Sequence, residues 1–103
     1  MRRILLTTAA ALALAWPAIA QNAEVGKEYD ITIQSEDSNQ YVGSYGHATV
    51  GSIAFLIPNA KKDQKYHVKV TAIKANQYTS EMQASCDFAE TGGDAKGKCL
   101  DAP

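Results

Sequence analysis

The chain has 103 residues, 46% hydrophobic and 20% charged, with a formal net charge of −1 and two cysteines. That composition fits one ordinary globular domain and excludes a disordered polypeptide. Beyond the N-terminus no apolar run reaches the eighteen residues a membrane helix needs, so the rest of the chain is not expected to insert into a bilayer.

Arg2 and Arg3 precede an apolar run from Ile4 to Ala15, and Trp16-Pro17 then breaks the helix ahead of Ala18-Ile19-Ala20. This pattern predicts a secretory signal peptide over residues 1–20, cut between Ala20 and Gln21. The expected destination is the bacterial periplasm or the exterior, with no cysteine at the cut to carry a lipid. Both arginines leave with the leader, so the mature chain holds eight lysines against eleven acids, a formal −3. A domain without arginine is poorly equipped to clamp phosphates in bidentate fashion.

In the mature chain, Tyr29, Ile31 and Ile33 alternate with Asp30, Thr32 and Gln34, which predicts a half-buried strand within Val25 to Glu36. Asp37-Ser38-Asn39 reads as a turn, and Gln40 to His47, with Gly43 and Gly46, as a loop or kinked strand. Gly51-Ser52 is a second turn signal. Val50 to Ile57 is apolar enough to be covered on much of both faces, and Pro58 ends it. Asn59 to Gln64 supply turn chemistry. Tyr66, Val68 and Val70 then alternate with Lys65, His67, Lys69 and Thr71, and the apolar phase shifts at Ile73, which predicts a β-bulge. After a turn at Asn76-Gln77, a fifth strand is expected over Tyr78 to Cys86, with Tyr78, Ser80, Met82 and Ala84 on one face.

Five short strands with glycine kinks predict an all-β chain: a small five-stranded OB-like or SH3-like barrel. Residues 21–84 would form the barrel and 85–103 a C-terminal extension. Cys86 and Cys99 enclose twelve residues, among them Gly92, Gly93 and Gly97. In an exported protein an even cysteine count predicts a disulfide, here tethering the C-terminal loop to the last strand.

Gly46, Ala48, Val50, Phe55, Ile57, Pro58, Ala60, Val68, Val70, Ile73 and Tyr78 follow one another in an order that resembles the TRAM domain, a small OB-like β-barrel. The resemblance covers residues 25–84 and is sharpest from Phe55 to Ala60. Lys62-Asp63 replaces the Pro-Gly of the family's usual turn, and Thr49 stands where a basic residue is common. The resemblance implies RNA or single-stranded nucleic-acid binding, with contacts from Lys61, Lys62, Lys65, Lys69, Lys74 and Tyr78.

Two functions stand side by side at this level. One is that nucleic-acid module; the other is an exported protein- or glycan-interaction domain that keeps the barrel without the RNA role. The lysines of the central hairpin serve either as an anion surface or as guards against edge pairing. Tyr41, Tyr45 and Tyr78 either stack bases or sugars or pack the barrel rim. No catalytic motif is present, and no cofactor or metal is expected: His47 and His67 lie on separate elements, far from the cysteines in sequence. A barrel of this size is expected to offer little room for a ligand pocket of ~300 Å3.

Overall fold

The computed structural model describes residues 21–103; the leader expected over residues 1–20 lies outside the described residues. The described chain is all-β, with seven strands in one mixed sheet that curls into a half-barrel. They are β1 (Glu28–Thr32), β2 (Ser35–Asn39), β3 (Gly43–Val50), β4 (Ile53–Pro58), β5 (Lys65–Ala75), β6 (Met82–Glu90) and β7 (Lys96–Lys98). The hydrogen-bonded order is β1-β5-β6-β4-β3-β2, with β7 added to β6. All pairings are antiparallel except β4 with β6, which meet at Ala54 and Gln83.

The two ends of that order, β1 and β2, are neighbours in sequence, separated only by Ile33 and Gln34. This joint is bonded on both sides. Ile33 N donates to Gln64 O at 2.8 Å, and Gln34 N donates to His47 O at 2.9 Å. One stretch of chain therefore pairs first with β5 and then, past the bend, with β3.

The core follows from the alternation. Ile31 and Ile33, then Ile53, Phe55 and Ile57, then Tyr66, Val68 and Val70, and finally Ala84 and Cys86 all turn to the inside. Phe55, Ile33, Ile57, Val68 and Val70 are the largest of the fully buried side chains. Each such burial contributes about 1.5–3 kcal/mol. Tyr66 meets Phe88 edge-to-face, with ring centroids 5.5 Å apart. The β5–β6 register slips between Val70 and Ala72, leaving Thr71 as the extra residue. The bulge lies where the shift to Ile73 predicts it.

Several sequence expectations need correction. The described residues form seven strands rather than five, and the sheet is a curled half-barrel. Asp37-Ser38-Asn39 is strand β2, not a turn; the turn is Gln40–Val42. All five β2 side chains are exposed, so the strand has no apolar alternation by which sequence could announce it. Gly43 to Val50 is a regular strand, because Gly46 lets it pass close to its neighbours. A Cβ on Gly46 would lie 2.6 Å from Ile33 Cγ2 and 2.8 Å from Ala60 Cβ. The last long strand begins at Met82 rather than Tyr78 and runs on to Glu90, and β7 folds back on it within the expected loop. The Cys86–Cys99 disulfide is present, with Cα atoms 5.0 Å apart.

Asp63 has φ 73° and Asn59 φ 59°, the left-handed region that Asp and Asn tolerate better than most residues. Asp63 therefore holds a turn conformation that glycine more commonly takes. Gln64 completes this β4–β5 turn: its Oε1 accepts from Lys61 N at 2.8 Å and from the Tyr66 hydroxyl at 2.9 Å.

Candidate functional site

Two turns on separate hairpins share one tripeptide, Asn-Gln-Tyr, at residues 39–41 and 76–78. They also share one geometry. Asn39 Oδ1 accepts from the backbone N–H groups of Tyr41 and Val42, both at 2.9 Å. Asn76 Oδ1 accepts from those of Tyr78 at 2.9 Å and Thr79 at 3.2 Å. An Asn side chain that satisfies the two following donors builds the turn by itself, with no help from the side chain between. The tyrosine carried on each turn is free to leave the surface: Tyr41 is 87% exposed and Tyr78 80%.

Both rings line one open groove of about 610 Å3. Tyr45 of β3 and Leu56 of β4 contribute from the sheet; Leu100, Asp101 and Pro103 contribute from the C-terminal tail. The space exceeds the sequence-based expectation because it lies outside the sheet, between turns and tail, rather than inside the curl.

The tail is fixed at several points. Beyond the disulfide, Leu100 N donates to Leu56 O at 2.9 Å, so the chain runs alongside β4. Ser85 Oγ donates to Asp101 Oδ1 at 2.7 Å. Gln83, only 2% exposed, joins the tail to the second turn: its Nε2 donates to Leu100 O at 2.9 Å while its Oε1 accepts from Asn76 Nδ2 at 3.1 Å. An unpaired amide at that depth would cost about 1–3 kcal/mol, so the network is specified rather than incidental. The same turn is held to β3 by His47 Nε2 and Glu81 Oε1, 3.4 Å apart. Burial, followed by the charge of and hydrogen bond to Asp37, pushes the Tyr45 phenol up, so the ring enters the groove neutral.

Of the six residues proposed from sequence for nucleic acid, only Tyr78 lines this groove. Lys61 and Lys62 lie on the β4–β5 turn, where Lys61 Nζ approaches Glu36 at 3.6 Å and Lys62 N donates to the same carboxylate at 3.0 Å. Lys65 and Lys69 lie on the exposed face of β5, and Lys74 near its far end. Acids interleave with them: Lys69 stands in register between Glu28 of β1 and Asp87 of β6. His67, between the two lysines, is clasped by Glu28 at 2.6 Å and Asp30 at 2.8 Å. Hydrogen bonds to Glu28 and then Asp30 hold its pKa above the ordinary value, and the same contact holds Glu28 below its own. Lys98 is paired with Asp87 at 2.7 Å. This face is a charge ladder of alternating sign.

Sequence reasoning singled out Tyr41, Tyr45 and Tyr78 but not the tail residues, nor Gln83. The repeated tripeptide is the signal that would have found the groove, because it marks two equivalent turns. Among the described residues no group of three or more His, Cys, Asp or Glu is placed to hold a metal ion. No known protein family, curated protein or solved structure matches the chain, so the TRAM resemblance reaches no further than a small β-domain.

Proposed function

We propose that the chain is an exported, disulfide-stapled binding module of the OB-like class, and that its ligand is a glycan held in the tyrosine groove. The observation that carries this is the pair of matching Asn-Gln-Tyr turns presenting two exposed rings to one space. Strand order supports the class. With β1 and β2 counted as one bent strand, the order closes as 1-2-3-5-4, with the third and fifth parallel. A five-stranded Greek-key barrel of that kind binds oligonucleotides or oligosaccharides on its second and third strands and the loops joining strands 1–2 and 4–5. In this chain those are β3, β4 and the two tyrosine turns.

Charge favours the sugar over the nucleic acid. No lysine lines the groove, and its one charged side chain is Asp101. Bound phosphates need cations beside them and make affinity fall steeply with salt. A tyrosine face instead covers the apolar face of a sugar ring, and a tyrosine has only two side-chain torsions to fix on binding. The reading is of a binder rather than an enzyme, since Asn39 and Asn76 are engaged in their own turns. A disulfide fits an oxidising compartment, in keeping with the leader expected over residues 1–20.

The test is calorimetric titration with an N-acetylglucosamine oligomer and, separately, single-stranded RNA, each at low and moderate salt. Sugar binding that is insensitive to salt is expected. RNA binding with a steep salt slope, and no sugar binding, would return the function to the one the TRAM resemblance implies.

A further inference from the structure

Resting on the groove reading, we infer that the site selects a sugar carrying a protonated amine, with Asp101 as the residue that recognises the ammonium group. Three tyrosine rings line the groove, and an aromatic face is negative at its centre and attracts a cation. The only ionic side chain of the lining, Asp101, has the sign that reinforces this attraction. Its carboxylate is oriented: Ser85 Oγ donates to Oδ1 at 2.7 Å, and the flanking backbone is held through Leu100. Lys98, whose pKa is raised first by its hydrogen bond to Asp87 at 2.7 Å and only last by the charge of Asp101, is not part of the groove.

Beyond Tyr45 a second, shallower depression continues the same sign. Glu36 and Asp37 line it together with Ser38, Ser44 and Ala60. Glu36 is shared with Lys61 and with the Lys62 backbone, whereas Asp37 adds its charge beside Tyr45. The groove and this neighbouring depression each present carboxylates and no lysine, so an anionic ligand would meet like charge in either, while an ammonium group in the groove would meet aromatic faces and a carboxylate. Aromatic surface with an acid and no base is the composition by which ammonium groups are recognised.

The experiment compares two oligomers of equal length, N-acetylglucosamine and its de-N-acetylated counterpart glucosamine, at a mildly acidic pH where the free amine is protonated. The glucosamine oligomer is expected to bind about tenfold more tightly at low salt. Asp101→Asn should abolish that preference by lowering the affinity for the glucosamine oligomer about tenfold, and a thermal midpoint within about 2 °C of the parent's verifies that the variant folds. Equal affinities in the parent chain, or a preference that survives Asp101→Asn, would overturn the inference while leaving the groove reading intact. Binding of neither oligomer would overturn both.

Discussion

Tyr41 and Tyr78 occupy the same position in two copies of one turn, each two residues after an Asn whose side chain caps the turn, and both rings line a single groove. The caps, not the rings, hold the turns, so ring and fold are separable. Tyr41→Ala and Tyr78→Ala should each weaken binding of an N-acetylglucosamine oligomer by about five- to tenfold, in line with ~1 kcal/mol per aromatic contact. Thermal midpoints should stay within about 2 °C of the parent, because surface changes away from special features are nearly neutral. A large loss of stability with unchanged affinity would mean the tyrosines serve packing.

Removing the disulfide should have two separable effects. Cys86 and Cys99 are buried and close a loop of sequence separation 13. The double variant Cys86→Ala with Cys99→Ala should lose about 3 kcal/mol in urea denaturation, the chain-entropy value for such a loop. Groove affinity should fall as well, at temperatures where the variant is still folded, because Leu100, Asp101 and Pro103 lose their nearest covalent anchor. Intact affinity in the folded variant would show that the hydrogen bonds to Leu56 and Gln83 hold the tail without the bridge.

The His67 clasp gives stability a pH dependence of defined sign. His67 has a raised pKa in the fold, so its contribution is complete below the unfolded imidazole value of about 6.5 and is lost as pH rises through the raised value. Glu28 is lowered, so its contribution is present above the ordinary carboxylate range and is lost as pH falls through the depressed value. Stability should therefore peak in the mildly acidic range between them. His67→Gln should flatten the alkaline side of that peak in denaturation curves taken across pH. An unchanged alkaline slope in the variant would place its origin elsewhere.

Gly46→Ala tests the close approach that lets β3 run as one strand. The added methyl would lie 2.6 Å from Ile33 Cγ2 and 2.8 Å from Ala60 Cβ, inside a packed core. Overpacking of this kind costs about 1–3 kcal/mol, read as a lower denaturation midpoint. A neutral result would mean that the Ile33 side chain can turn aside without cost.

Much of the sheet was legible in the sequence because buried strands carry their own periodicity. Tyr66, Val68 and Val70 gave β5, the phase shift at Ile73 gave its bulge, and Phe55 with Ile57 gave β4. Strand β2 was not legible, since Ser35 to Asn39 are exposed throughout and carry no apolar alternation. Sequence alone starts β6 at Tyr78, because Ser80 and Met82 continue the alternation, whereas Ser80 is in the left-handed region with φ 64° and ends the turn. The groove was half legible. Its tyrosines were visible as exposed aromatics, but its tail wall depends on Leu100 lying beside Leu56, a contact between residues 44 apart in sequence that no local pattern records. The lysines drew attention by density alone, and the acids that answer them come from β1, β2 and β6.

The most direct measurement is an NMR titration of the 15N-labelled chain with the N-acetylglucosamine oligomer, following the backbone amides. Shifts confined to the two turns at 39–42 and 76–79, to Tyr45 and to the tail at 100–102 are the expected result, and they should persist in Lys65→Glu with Lys69→Glu. No shifts with the sugar, together with RNA-induced shifts along Lys65 to Lys69, would contradict the groove account and place the ligand on the charged face of β5.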